Sequence, residues 1–328
     1  TISMLQTPLQ VQGMNQRTVC LEGPRTRSSI NYLQSYQNGD FPILMVTDST
    51  GNFYTFPMNP RVVDYPILTT FKIDLNSSMS KSKNQTVVQE GQQLKYKFDC
   101  SLNDGKIYFY ASDSLSHNSI FCDLNSEKIL GKIQSINGNI TSIKVHPTLT
   151  NSVLVCDDEL YLYDCRSKLS EPVLSYQPTT NVISNATKQS TTQKVKIFDC
   201  GVFKREPYLI PLCSSLGSII YSDIRMMNTM SNVSPSLLNR VNDSKYPIFD
   251  FNQYESQAMC FDVHEPTLSA AAGTNKGTNV CFYSTGKSFR FPQKAKLQKP
   301  VLCLKWIPRK FGLFYMDDST DLFSLTDN

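Results

Sequence analysis

The sequence predicts an all-β chain assembled from one repeated unit, and three observations carry that expectation. Helical periodicity is nearly absent along the chain. The segment Thr47 to Phe56, TDSTGNFYTF, returns towards the C-terminal end as Asp317 to Leu325, DDSTDLFSL. Segments of this kind recur at intervals of about 40 or about 60 residues, the spacing of a repeat architecture in which some loops are lengthened.

Each recurrence has an apolar run, a tight polar turn and an alternating strand, which is how a β-hairpin is written in sequence. Cys156 to Tyr163, CDDELYLY, is the same hairpin with a shorter turn. Just upstream lies a second echo: Ile143 to Leu149, IKVHPTL, matches Phe261 to Leu268, FDVHEPTL. One unit therefore runs strand, His-Pro-type turn, strand, polar hairpin, strand. The third strand of successive units reads NFYTFPM (52–58), SIFCDLN (119–125), LYLYDCR (160–166), SIIYSDIR (218–225), NVCFYSTG (279–286) and DLFSLTD (321–327).

Three stretches, 76–93, 168–194 and 226–256, are rich in Ser, Asn, Thr and Gln and break the apolar pattern. They are expected to be long loops inserted between strands, because hairpin units resume in the same style on either side. The chain is thus expected to be one domain over 1–328.

With 328 residues, 40% of them hydrophobic and only 18% charged, the chain can bury a large core and keeps its surface wet mainly through uncharged polar groups. No run approaches the roughly 18 apolar residues of a membrane helix, and TISMLQTPLQ lacks the pattern of a secretory leader. An intracellular protein without a membrane partner is expected. The ten cysteines include no CxxC pair and most sit inside apolar runs, as Cys100, Cys156 and Cys281 do, so reduced core thiols are expected. Cys260 and His264 have a ligand-like gap with no second pair, so no metal is expected.

The stretch Ile140 to Arg166, ITSIKVHPTLTNSVLVCDDELYLYDCR, resembles the WD40-repeat β-propeller family. It follows that family's first strand, His-Pro turn, second strand, Asp-containing turn and third strand ending in a Trp-Asp-type dipeptide, here Tyr163-Asp164. The other units match more loosely, and Trp306 lies in a first strand instead. The resemblance implies a single closed propeller of six to seven four-stranded antiparallel blades. It also implies ring closure in which the segment near Thr18 to Leu21 supplies a strand to the last blade, 300–328.

Catalytic signatures are missing: the sequence holds no GxSxG, HExxH or phosphate-loop spacing. His146 and His264 occupy one repeat position, and the pairs Asp157-Asp158 and Asp317-Asp318 fall in hairpin turns, where Asp serves turn chemistry. No enzyme activity, cofactor or small-molecule substrate is expected.

Two features point to partners. Two units end in Asp-x-Arg, Asp164-Cys165-Arg166 and Asp223-Ile224-Arg225. Substrate receptors of cullin-4-type ubiquitin ligases, within the same family, carry similar boxes whose Arg faces the adaptor. Second, Lys287, Arg290, Lys294, Lys296, Lys299, Lys305, Arg309 and Lys310 form a basic stripe without a carboxylate, which leaves 24 basic against 28 acidic residues elsewhere. Such a stripe suits an acidic protein segment, a histone-containing assembly or nucleic acid. The expected role is a non-catalytic scaffold or adaptor in a multiprotein complex, nuclear more than cytoplasmic. The alternatives are a ligase substrate receptor or a chromatin or nucleic-acid module.

Overall fold

The computed structural model describes residues 3–5, 20–22, 30–38, 41–49, 52–57, 69–72, 95–101, 106–112, 118–123, 126, 128–134, 136, 139–149, 151–167, 169, 171–183, 190–225, 227, 257–282, 288–291, 300–306, 312–317 and 322–326. They are mostly antiparallel strand. The expected insertions 76–93 and nearly all of 226–256 lie outside the described residues.

The chain forms two compact units, one of Thr1–Leu115 with Ile120–Leu130 and one of Ser116–Ser119 with Gly131–Asn328. At the start of the first unit, β1 (Ser3–Leu5) pairs with β2 (Cys20–Glu22). The first large sheet has the order β3 (Ile30–Asn38), β4 (Phe41–Asp48), β5 (Asn52–Pro57), β6 (Thr69–Lys72). The second has the order β7 (Lys95–Ser101), β8 (Lys106–Ser112), β9 (Asn118–Asp123), β10 (Lys128–Gln134).

In the second unit the third sheet is β11 (Ser142–Val145), β12 (Ser152–Cys156), β13 (Leu160–Asp164), β14 (Leu174–Tyr176). A separate hairpin, β15 (Thr179–Ile183) with β16 (Ser190–Lys194), follows it, so the 168–194 stretch carries strands that its polar composition concealed. The fourth sheet is β17 (Ile197–Cys200), β18 (Leu209–Ser214), β19 (Ile219–Asp223). The fifth is β20 (Ala258–His264), β21 (Ser269–Thr274), β22 (Gly277–Phe282), β23 (Ser288–Phe291), and the sixth is β24 (Val301–Trp306), β25 (Gly312–Asp317), β26 (Leu322–Thr326).

Every large sheet is therefore a meander in chain order, the form that local hairpin signals dictate. In the fifth sheet the second strand is buried on both faces because a sheet lies on either side. In β21 the run Ser269-Ala270-Ala271-Ala272-Gly273-Thr274 is buried throughout. Ala270 and Ala272 meet Phe203, Cys213 and Tyr221 of the fourth sheet, while Ala271 meets Val301, Leu304 and Trp306 of the sixth. Small side chains are needed for sheets this close: a Cβ on Gly201 would lie 2.2 Å from Val263 Cγ1, and one on Gly273 would lie 2.7 Å from Val301 Cγ1. In the first unit Phe98 is the hub, edge-on to Tyr32 at 5.1 Å and to Phe53 at 5.3 Å. Each such aromatic contributes about 1.5–3 kcal/mol through burial.

Turns between second and third strands share one device in the first, fourth and fifth sheets. The last residue of the second strand supplies a side-chain oxygen to the turn. Asp48 accepts from Asn52 N, Asn52 Nδ2 and Tyr54 Oη, each at 2.9 Å. Ser214 Oγ accepts from Ser218 N at 3.0 Å, and Thr274 Oγ1 from Lys276 N at 3.1 Å. Asp157 uses its carboxylate differently, accepting from Ile136 N, 21 residues upstream, at 3.0 Å, while its backbone N donates to Glu159 O at 3.1 Å within the turn. The partner turn at Asp317-Asp318 falls at the edge of the described residues. Gly217 (φ 82°) and Gly277 (φ 132°) supply the left-handed backbone that these turns require.

The same turns staple neighbouring sheets. Ile197 N donates to Asp158 O at 2.9 Å, and Ala258 N donates to Ser215 O at 2.8 Å, so the entries of β17 and β20 hang from the preceding sheet's turn. Among the described residues the cysteines are free thiols, most of them buried.

Candidate interaction surface

The two Asp-x-Arg boxes fold into the same object. Both Asp residues end a third strand, β13 or β19, opposite the first residue of the second strand: Asp164 pairs with Ser152 and Asp223 with Leu209. There the chain must turn, and the carboxylate caps that turn by accepting the Arg backbone N–H, at 3.0 Å for Arg166 and 2.9 Å for Arg225. The same turn brings the guanidinium back onto the carboxylate. Arg166 donates from Nε to Asp164 Oδ1 at 3.0 Å and from Nη2 to Oδ2 at 2.7 Å. Arg225 repeats this on Asp223 at 3.0 and 2.6 Å.

This bidentate fork fixes a side chain that would otherwise sample many rotamers. The Arg side chains nevertheless stay 69% and 63% exposed. Their hydrogen bonds hold the Asp164 carboxyl down to about 2, and Asp223 is lowered by the same contact. Both pairs are therefore ionised throughout the physiological range. The unused guanidinium N–H groups remain available to an acceptor outside the chain.

The two boxes differ in what supports them. Arg225 lies over the Tyr208 ring, 4.7 Å from its centroid, and Tyr208 in turn stands 6.4 Å from the His146 ring of the preceding sheet. Where the third sheet has buried Tyr163 before the Asp, the fourth has Ser222, whose hydroxyl lies 3.4 Å from Tyr176 Oη. The neighbouring strand thus fills the room that the missing aromatic leaves.

Around these turns lie residues that sequence reasoning missed. Lys204, Arg205 and Glu206, in the turn between β17 and β18, are exposed. Glu265 of the fifth sheet holds that turn by accepting from Lys204 N at 2.9 Å and Arg205 N at 2.7 Å. Available in the sequence was the place of KREPY, where other units carry HPTL or HEPTL.

The histidines are built into turns. His146 Nδ1 accepts from Leu149 N at 3.0 Å and Thr148 N at 3.3 Å, and His264 Nδ1 lies 2.7 Å from Thr267 Oγ1 while its ring stacks on Trp306 at 5.0 Å. Of the basic stripe, Lys305 is described fully: its Nζ reaches Asp262 Oδ1 at 3.0 Å. Arg290 lies in β23 opposite Asn279. Lys287, Lys294, Lys296, Lys299, Arg309 and Lys310 lie outside the described residues. No group of three or more His, Cys, Asp or Glu suited to a metal ion occurs among the described residues.

No protein-family model and no curated protein matches the chain. Solved structures do. Chaetomium thermophilum Raptor superposes with a TM-score of 0.63 at 13% identity over 93% of this chain, which spans 25% of the Raptor chain. A chain of a Mitotic Checkpoint Complex superposes with a TM-score of 0.58 at 10% identity, over 95% of this chain and 79% of the other. At such identities the likeness concerns the fold, and it supports a propeller-like arrangement of the sheets.

Proposed function

We propose that the chain closes into a WD40-type propeller of six or seven blades and works without catalysis as a scaffold, a nuclear one, that presents one edge to protein partners. The observation that carries this reading is the repeated Asp-Arg turn. Two guanidinium groups on neighbouring sheets are held in the same geometry by their own Asp and still face solvent. Pre-organisation of this kind lowers the entropy lost when a partner carbonyl or carboxylate is bound. Arg and Tyr, here Arg225 over Tyr208, are also the side chains most often found at the energetic centre of interfaces.

Support for a non-catalytic role comes from where the candidate bases stand: His146 and His264 spend Nδ1 on their own turns. A scaffold role also agrees with the second structural neighbour, a chain of an assembly by name. The identical geometry of the two boxes favours a cullin-type ligase adaptor as one specific partner. Nucleic acid or histones through the basic stripe are the other reading, although Lys305 is engaged by Asp262.

The test is affinity purification with mass spectrometry of the chain against its Arg166→Glu, Arg225→Glu double variant. Partners that depart in the variant while the melting temperature is unchanged support the docking edge, and their identity separates ligase, chromatin and other assemblies.

A further inference from the structure

The first strands of the second unit carry a column of residues that face one another from sheet to sheet. In each, the relevant residue pairs with the last residue before the turn of the second strand or its equivalent. Ser142 pairs with Cys156, Asp199 with Cys213, Cys260 with Gly273 and Cys303 with Met316. In the last three the ladder shifts by one residue just before that position, between Ile197 and Asp199, Ala258 and Cys260, and Val301 and Cys303. A bulge repeated at one place re-aims the side chain that follows it in the same way each time.

At the start of the column, members of adjacent sheets touch: Ser142 Oγ donates to Asp199 Oδ1. At the end of the column the corresponding neighbours are Cys260 and Cys303. Two residues further along the same strands, and so on the same faces, Lys305 Nζ reaches Asp262 Oδ1 at 3.0 Å, and Trp306 N donates to Asp262 Oδ2 at 2.9 Å. Cys260 Sγ already points across the gap, 3.4 Å from Val301 O. The sheets are held close there by Gly273, where a Cβ would meet both Cys260 Sγ and Val301 Cγ1.

We propose that Cys260 and Cys303 form a dithiol site that low-molecular-weight disulfides oxidise to a disulfide linking the fifth and sixth sheets. Cys303 is exposed and is the point of attack, whereas Cys260 is partly buried behind it. The Cys303 thiolate attacks one sulfur of the reagent RSSR, forms a mixed disulfide and releases one thiolate. Cys260, after losing its proton to solvent, then attacks the Cys303 sulfur and expels the second thiolate. The protein loses two electrons and two protons, and the reagent is reduced to two thiols.

Burial pushes the Cys260 thiol up to about 12, with a further contribution from Cys303, and partial desolvation on the side facing the fifth sheet also raises Cys303 against the pull of Lys305. Oxidation is accordingly slow at neutral pH and accelerates in mild alkali. Such a link would fasten two neighbouring sheets of the scaffold under oxidative conditions and leave its Asp-Arg edge untouched.

The experiment uses the full chain incubated with oxidised glutathione in mild alkali. Expected are an intact mass lower by two hydrogens, a non-reducing peptide map joining Cys260 to Cys303, and a rise in melting temperature that dithiothreitol reverses. Cys303→Ser and Cys260→Ser should each abolish the cross-link, and Cys165→Ser should not. A glutathione adduct that persists on Cys303 while Cys260 stays a free thiol overturns the proposal. So does a folded chain in which both remain unmodified, or in which Cys303 joins a different cysteine.

Discussion

Ser142 donates its hydroxyl to Asp199 across two neighbouring sheets, and the same Asp199 carboxylate accepts the backbone N–H of Cys200 at 2.7 Å. The first unit repeats the arrangement with a different donor: Tyr36 Oη reaches Asp99 at 2.7 Å, and Cys100 N donates to Asp99 at 3.0 Å. Both carboxylates sit in the tripeptide Phe-Asp-Cys of a first strand, and Phe261-Asp262 extends the pattern through Asp262, which holds Trp306 N. An Asp on a sheet's first strand thus works as a clamp between sheets.

Replacing Asp199 by Ala should leave the Ser142 hydroxyl and the Cys200 N–H without their acceptor in a buried site. The expected cost is about 1–3 kcal/mol, read as a lower denaturant midpoint with unchanged slope. Asp199→Asn keeps an acceptor and should cost less. Equal losses for the two variants would mean that the acceptor is not what matters.

Gly201→Ala tests the closeness of the fourth and fifth sheets. The added methyl would overlap Val263 Cγ1, and a strand in a packed core has little room to yield, so a loss of about 1–3 kcal/mol is expected. Trimming the obstacle in the double variant Gly201→Ala, Val263→Ala should recover part of it. Additive losses in that cycle would contradict the contact.

Acid should weaken the turn at His146. Burial holds its imidazole below the ordinary value, with the Pro207 backbone pulling the other way, so the folded state favours the neutral ring. An unfolded chain takes up that proton near about 6.5, hence the contribution is complete above that pH and is lost as pH falls through it towards the folded value. The slope is at most about 1.4 kcal/mol per pH unit for one group. His146→Asn keeps an acceptor for Leu149 N, and its melting temperature should fall less than that of the parent between neutral and mildly acidic pH. Parallel profiles would refute the assignment.

The strands and their meander order were legible because a hairpin is a local signal: alternation on either side of a polar turn is visible within a dozen or so residues. The common turn duty of Asp48, Ser214 and Thr274 was less legible, because three residue types share it and only register aligns them. The Phe-Asp-Cys repeat was visible in the letters, yet its meaning depends on which sheet lies opposite, and that is tertiary information. The 168–194 stretch shows the reverse failure, since TTNVI and STTQK pair as β15 and β16 without an apolar face to announce them. The Asp-x-Arg boxes could be found by spacing alone, whereas the fork that holds each guanidinium had to be seen.

A fourth prediction concerns that fork. Asp164→Asn should release Arg166 from its bidentate hold without burying anything new, so stability should change by less than about 1 kcal/mol. Partner affinity should drop because the guanidinium is no longer fixed, and a faster off-rate in surface-binding kinetics with an unchanged melting temperature is the expected signature. A large fall in melting temperature would show that the box serves the fold instead.

The most direct test of the scaffold reading is quantitative affinity purification of the chain, its Arg166→Glu and Arg225→Glu single variants, and the double variant, each checked for an unaltered melting temperature. Arg at the centre of an interface typically carries about 2 kcal/mol or more, so each single change should deplete a common set of partners and the double change should remove that set nearly completely. An identical partner set at identical occupancy in all four samples would contradict the claim that this edge is where the protein docks.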